Sequence, residues 1–360
     1  MNSKQEYGHD LWPPSFQHLS SSQQVRMATN LCRQAKYLKK RPFHHVGGKA
    51  KALQERLMKK NTGEFCWALS FDPTMIALLC REGFLPMAGQ IFADLICLLP
   101  KLHTQRSMMV DIMGLKIDNG ARKKAKKYSF TVDRAMDQVI KGCQTQHGSN
   151  CWFYGPLVEA YRCIHRQNDT GGLEGVRIHS CEVWDKKTGL LVAGELGYAC
   201  GGIYTSLSGY REPGSKSAGT VQCCCTAILL KQLGFKVWDL GMPMEYKKKL
   251  GSCEIPRADF LQHVYSARDM KEVVLSCGSE TCCGELVKWF LSQKKEKQEK
   301  ENKVKVTGGE GGKGGEGGEG GEGGEGGEEG EGGEGGEGGE GSEGSEGSEG
   351  SERKQESGKT

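Results

Sequence analysis

Asp239 stands near the end of Phe235-Lys236-Val237-Trp238-Asp239-Leu240-Gly241, a run that alternates like a β-strand. An acid at the end of the second strand of a strand–helix–strand unit is a common location for a site in α/β folds, although Asp also caps chain ends without further function. The helix before it is predicted over Ala218 to Leu233. Val221, Cys224, Ile228 and Leu229 fall at helical spacing, and Gly234 is placed to stop it. Upstream, Gly201 to Tyr210 starts β-prone and becomes turn-rich. Val183-Trp184 and Leu190 to Ala193, split by Asp185-Lys186-Lys187-Thr188-Gly189, predict a hairpin.

Two stretches are candidates for holding phosphate. Gly209 to Ser217 has the outline of a P-loop, but Ser215 intervenes between the second Gly and Lys216, so the lysine is out of place. The turn Arg211-Glu212-Pro213-Gly214-Ser215-Lys216, between strand and helix, is a partial match to the pyrophosphate turn of acyl-CoA N-acetyltransferases. The densest basic cluster is Lys116, Arg122, Lys123, Lys124, Lys126 and Lys127, suited to phosphate contacts or to a solvated face. The 16 cysteines include Cys223-Cys224-Cys225 and Cys282-Cys283, but no paired C-x-x-C units of a zinc site. No metal and no cofactor are expected. The cysteines read as buried, reduced thiols of a reducing compartment.

The chain's net charge of +4 hides an asymmetry. From Thr307 onward 16 Glu face four Lys or Arg, so Met1 to Val306 holds 45 basic against 29 acidic residues, a balance of +16. A body that basic favours a polyanionic partner, nucleic acid first. The Gly/Glu-rich tail has no apolar residues and is expected to be disordered. Ile91 to Leu99, the most apolar stretch, contains Asp94 and is too short to span a membrane, and no secretory signal opens the chain. Cytoplasmic location is expected; Leu11 to Gln54, free of Asp and Glu, gives an organellar alternative. Asp72 and Pro73 predict a helix start, with Gly83 ending that helix. Ser129 to Cys143 reads as strand then helix, and Leu157 to His165 as a further helix.

Several segments read together resemble the leucyl/phenylalanyl-tRNA–protein transferase family. Asp72-Pro73, Leu78-Leu79 and Arg81-Glu82-Gly83-Phe84-Leu85-Pro86 are similar to its S-P-x-x-L-L-x-A-Y-x-x-G-I-F-P opening. Leu102-His103-Thr104-Gln105-Arg106-Ser107 resembles L-H-x-S-R-S. Phe130-Thr131-Val132-Asp133-Arg134-Ala135, followed by Val139-Ile140 and Cys143, resembles F-x-V-T-x-D-x-A-F…V-I-x-x-C. Glu159-Ala160-Tyr161 with Ile164-His165, then His179-Ser180-Cys181-Glu182-Val183-Trp184, is similar to E-A-Y-x-x-L-H…H-S-x-E-V-W. Leu250-Gly251-Ser252-Cys253-Glu254-Ile255-Pro256-Arg257 is similar to L-G-A-x-x-I-P-R.

The resemblance implies an α/β (α+β) protein with a small N-terminal domain and a GCN5-related N-acyltransferase-like catalytic domain. The boundaries expected are 1–60 for a basic extension, 61–100 for the small domain, 101–295 for the catalytic domain and 296–360 for the charged linker and tail. The implied reaction moves Leu or Phe from aminoacyl-tRNA to the N-terminal amine of a protein beginning with Lys or Arg, marking it for degradation. The implied partners are aminoacyl-tRNA and the acceptor protein, with no membrane and a monomeric enzyme. Asp239 falls on the family's D-C-Q acid and would orient or deprotonate the amine. Leu196, Ser206, Leu207 and Tyr210 would bind substrate, with Leu196, Leu207 and Tyr210 forming an apolar aminoacyl pocket. Arg106 would meet the tRNA acceptor stem, extended by the Lys116–Lys127 cluster. The family's Gln is Gly241 here, and the Glu of its G-E-S-M-F-S stretch is Leu207. An acyl-CoA N-acyltransferase and a catalytically inactive RNA-binding relative are the alternatives.

Overall fold

A computed structural model of the chain describes residues 19–60, 63–92 and 95–307. The expected disordered tail lies outside them, apart from its first residue. The described residues up to 306 form one compact unit.

The first sheet has four strands in the order β1 (Phe43–His44), β2 (Trp67–Ala68), β4 (Leu95–Lys101) and β3 (Leu85–Phe92). Helix α1 (Ser21–Gln34) opens with a capping box between Ser20 and Gln23. Its Ala28 and Leu31 pack with Trp67, Leu69 and Cys97. Packing is therefore continuous across the boundary expected at residue 60: β1 pairs with β2, and α2 (Ala50–Lys60) buries Leu53 and Leu57 in the main core. In α3 (Pro73–Arg81), Asp72 caps as the sequence predicts, its carboxylate accepting the Met75 N–H at 2.8 Å with Pro73 at the first position.

The second sheet carries the chemistry. Its order is β11 (Cys253–Pro256), β5 (Gln105–Met109), β10 (Val237–Gly241), β9 (Ile203–Arg211), β8 (Leu191–Cys200), β7 (Val176–Asp185), β6 (Tyr128–Val132) and β12 (Thr281–Cys282). This mixed sheet with helices is the α/β class expected. The predicted hairpin is β7–β8, with Val183 opposite Ala193. The turn-rich reading of Ser206 to Tyr210 is corrected: β9 runs unbroken to Arg211. Pairing with β8 satisfies its backbone and overrides the Ser/Gly composition.

One face of this sheet is covered by α3, α5 (Met136–His147), α6 (Gly155–His165) and α9 (Arg257–Arg268), through Val139, Ile140, Tyr161, Phe260 and Val264. The other is covered by α7 (Ala218–Leu233) and α10 (Cys283–Thr307), through Val221, Ile228, Leu286 and Phe290, with α4 (Asn119–Lys124) alongside. Helix α7 has the bounds the sequence predicts, and Gly234 ends it at φ +91°. Helix α10 runs past the boundary expected at 295.

Strands β9 and β10 are parallel, and α7 joins them. Their pairing runs from Ile203–Val237 to Thr205–Asp239 and stops there. Beyond that point the strands diverge, and the gap opens the main cleft.

Gly201, in the β8–β9 turn, has φ +56°, and a Cβ there would sit 2.5 Å from the Ala267 and Arg268 carbonyl oxygens. Gly201→Ala is expected to cost more than about 2 kcal/mol, combining left-handed strain with a clash against backbone. Chemical denaturation measures it, and a loss below about 0.5 kcal/mol would contradict this account.

Candidate active-site cleft

Asp239 is fully buried and does not line the cleft. Both carboxylate oxygens are held by Arg106, from Nε at 2.9 Å and from Nη2 at 2.8 Å, and the Gly241 N–H donates to Oδ1 at 2.8 Å. Arg106 is equally buried, its guanidinium 4.4 Å from the Phe260 ring centre. Burial works against the Arg106 charge, but Asp239 outweighs it and the pKa is raised. The expectation that Arg106 meets tRNA is therefore corrected: a side chain with no exposed surface, spent on a buried carboxylate, reaches no phosphate in this structure. Asp239 fixes the end of β10 from within.

The cleft has a volume of about 2010 Å³. Ser206, Leu207 and Tyr210 line it from β9, facing Leu240 and Gly241 of β10. Trp238 Nε1 donates to Ser206 Oγ at 2.9 Å, bridging the two strands at the point of divergence. Leu196 is fully buried in the core and lines nothing. Its neighbour Glu195, which the sequence reading passed over, lines the cleft instead. The available signal was a lone acid inside the apolar strand Leu191–Cys200.

Glu195 is 6% exposed and accepts from the Tyr204 hydroxyl at 3.2 Å. Burial pushes its carboxyl up to about 7, against the opposing pull of hydrogen bonds from Ser206, Tyr204 and Gln222 and of the Lys247 charge. Lys247, also lining the cleft, donates from Nζ to the carbonyls of Leu240 at 2.5 Å and Met242 at 2.7 Å. Burial pulls its pKa down to about 8.

Lys116 lines the cleft, and Arg122, Lys123, Lys124, Lys126 and Lys127 lie outside the lining, on α4 and the turn after it. All but Lys124 are exposed. Gly241 lies at φ +77°, so a side chain at this position would carry backbone strain.

The motif residues have framework roles. Asp133 accepts from the Ser180 N–H at 2.8 Å and lies 2.7 Å from His179 Nδ1. Glu182, fully buried, accepts from Thr131 Oγ1 at 2.6 Å, Ser180 Oγ at 2.5 Å and the Ala135 N–H at 3.1 Å, which fixes the start of α5. Arg257 donates to the carbonyls of Leu102, His103 and Gly63, tying α9 to the segment before β5.

Residues 109–265 match the family model described as leucyl/phenylalanyl-tRNA protein transferase. That segment of the chain is similar to this family. Curated relatives named leucyl/phenylalanyl-tRNA–protein transferase include one from Citrobacter koseri, 33% identical over 150 residues, covering 41% of this chain and 58% of the relative. Another, from Escherichia fergusonii, is 31% identical over 145 residues, covering 40% and 57%. The chain thus spans a little over half the length of the relatives it matches. The match contains Glu195, Ser206, Leu207, Tyr210 and Asp239, and begins after Arg106. Among solved structures, the C-terminal domain of a putative lysylphosphatidylglycerol synthetase from Agrobacterium fabrum aligns at TM-score 0.31 and 11% identity. It covers 62% of this chain and 80% of that one, a likeness too slight to bear on the fold.

Two expectations follow. Asp239→Asn and Arg106→Met are each expected to cost about 3–5 kcal/mol, because either leaves a buried charge unpaired. The double variant Arg106→Met/Asp239→Leu is expected to cost less than the sum of the singles. Denaturation measures this, and strict additivity would contradict the pairing. For Glu195 the folded pKa lies above the unfolded value, so the folded state binds the extra proton. Stability should fall as pH rises from about 4.5 to about 7, by up to roughly 3 kcal/mol. Glu195→Gln should remove that slope in melts across the same range.

Proposed function

We propose that this chain transfers an amino acid from aminoacyl-tRNA to the N-terminal amine of a protein, in the manner its relatives' names describe. Leucine and phenylalanine are the donors to test first, and proteins beginning with Lys or Arg the acceptors. The family match over the segment that builds the cleft carries this reading. The reaction is the aminolysis of an ester. The amine nitrogen forms a bond to the carbonyl carbon, the bond to the tRNA ribose oxygen breaks, and the amine proton passes to that oxygen or to solvent. A cleft at diverging parallel strands is suited to aligning the two substrates. An acyltransferase-like catalytic domain, as the resemblance implies, is part of this reading.

Asp239 supports that geometry through β10, its carboxylate fixing the turn at Gly241. Ser206, Leu207 and Tyr210 bind substrate in this scheme. Lys116 and the exposed Arg122, Lys123, Lys126 and Lys127 meet phosphates of the tRNA, in contacts that read charge rather than sequence. The protein acts as a monomer in the cytoplasm, where its free thiols stay reduced.

Incubation with radiolabelled Leu-tRNA or Phe-tRNA and peptides with different first residues tests the reaction. Label is expected on peptides beginning with Lys or Arg; no label on any peptide from a folded preparation would sink the proposal. Replacing Arg122, Lys123, Lys126 and Lys127 with Ala is expected to weaken tRNA binding and flatten its salt dependence. An unchanged salt slope would remove these residues from the tRNA surface. The turn Arg211 to Ser215 also lines the cleft, which favours an acyl-CoA donor as the second reading. A thermal shift with acetyl-CoA, and none with an aminoacyl-tRNA, would select it.

A further inference from the structure

The cleft wall on β8 is not the apolar surface that the reading of Leu196 anticipates. Leu196 turns into the core, and the carboxylate of Glu195 takes the cleft side. Buried carboxylates ordinarily have a cation beside them, because desolvating the charge is costly. Glu195 forms no ion pair among the described residues: its partners, Tyr204, Ser206 and Gln222, are all neutral. Lys247 acts on it through charge, but its ammonium is committed to two backbone carbonyls. Glu195 is therefore a nearly buried acid with no ion-pair partner among the described residues and an open cleft beside it.

We infer that Glu195 is the floor of a subsite for a cationic side chain, an ammonium or guanidinium group belonging to a substrate. The inference rests on the cleft being the aminoacyl-transfer site, and it names a group that selects what enters. Two sources carry that chemistry: the aminoacyl group on the tRNA, and the first residue of the acceptor protein. Strand register sets Glu195 opposite Gly209, two residues from Leu207, where the resemblance led one to expect a carboxylate. Glu195 faces Tyr204 and Gln222 on the α7 side of the sheet, whereas Leu207 packs on the opposite face, so Glu195 is an acid at a different place and not a replacement. The other acids lining the cleft, Asp118, Asp185 and Glu212, are not buried, which leaves Glu195 as the buried acid able to sort cations from apolar side chains.

The decisive comparison is equilibrium binding of argininamide and lysinamide against leucinamide, which share the α-ammonium and differ in the side chain. The cationic amides are expected to bind the full chain at least tenfold tighter. Glu195→Gln is expected to abolish that preference while leaving leucinamide binding unchanged, and Glu195→Asp to weaken it. Equal binding of all three, or a preference that survives Glu195→Gln in a variant that melts cooperatively, overturns the inference. This readout needs no turnover, so it stands even if the transfer reaction is absent. Transfer assays then assign the source. A preference for Arg- or Lys-charged tRNA that Glu195→Gln erases puts the cation on the donor; the same erasure for peptides beginning with Arg or Lys puts it on the acceptor. A uniform fall in kcat for every substrate, with loss of a pH-rate limb near 7, would make Glu195 a proton acceptor and overturn the inference.

Discussion

The Arg106–Asp239 pair joins two neighbouring strands of the main sheet and is fully buried. Arg106 on β5 closes both oxygens of Asp239 on β10, lies over Phe260 of α9 and donates to the Gly83 carbonyl at 3.3 Å. Three elements and the turn before β3 thus meet on one guanidinium. Such a pair is a weak source of net stability but a strong source of specificity, since displacing either member leaves a bare charge. The Gly241 N–H adds a third hold on the same carboxylate, so the turn at the end of β10 has one conformation available. The lip of the cleft opposite Ser206 depends on that turn.

From this anchor the rest of the cleft follows. Strand β10 is held to β5 on one side, and its pairing with β9 ends at Thr205–Asp239. Trp238 spans the last point of closeness by donating to Ser206. The helix on the far face is apolar over most of its length, so α7 seats firmly and carries the chain from β9 back to β10. Among the charges lining the cleft, Glu195 and Lys247 are buried, whereas Lys116, Asp118, Lys141, Arg211 and Glu212 are exposed. The buried ones act at short range on side chains; the exposed basic ones act collectively on a polyanion.

Local signals were legible in the sequence and long-range ones were not. The cap at Asp72, the hairpin turn before Leu190 and the bounds of α7 are written in neighbouring residues, and the structure repeats them. The strand character of Ser206 to Tyr210 is not local, because it comes from pairing with β8. The partnership of Arg106 with Asp239 spans 133 positions and leaves no trace in spacing. Asp239 was found by its place at a strand end, but its burial was invisible without its partner. The predicted strand ends at Ala193, short of Glu195, and which of Glu195 and Leu196 meets the cleft is set by tertiary packing, Leu196 entering the main core and Glu195 facing Tyr204.

The termination of strand pairing at Thr205–Asp239 separates two kinds of inheritance. An opening made by diverging backbones survives exchange of the side chains along it, unlike a pocket carved by removing bulk from a core. His179, Glu182 and Arg257, which carry the family resemblance, belong to the framework around the opening, at the start of α5 and the junction of α9 with the segment before β5. The positions that depart from the family, 207 and 241, lie on the walls. Side chains on such walls can be exchanged without moving the backbone that makes the opening. Kinship read from the framework then says more about the kind of bond being made than about which molecules are joined.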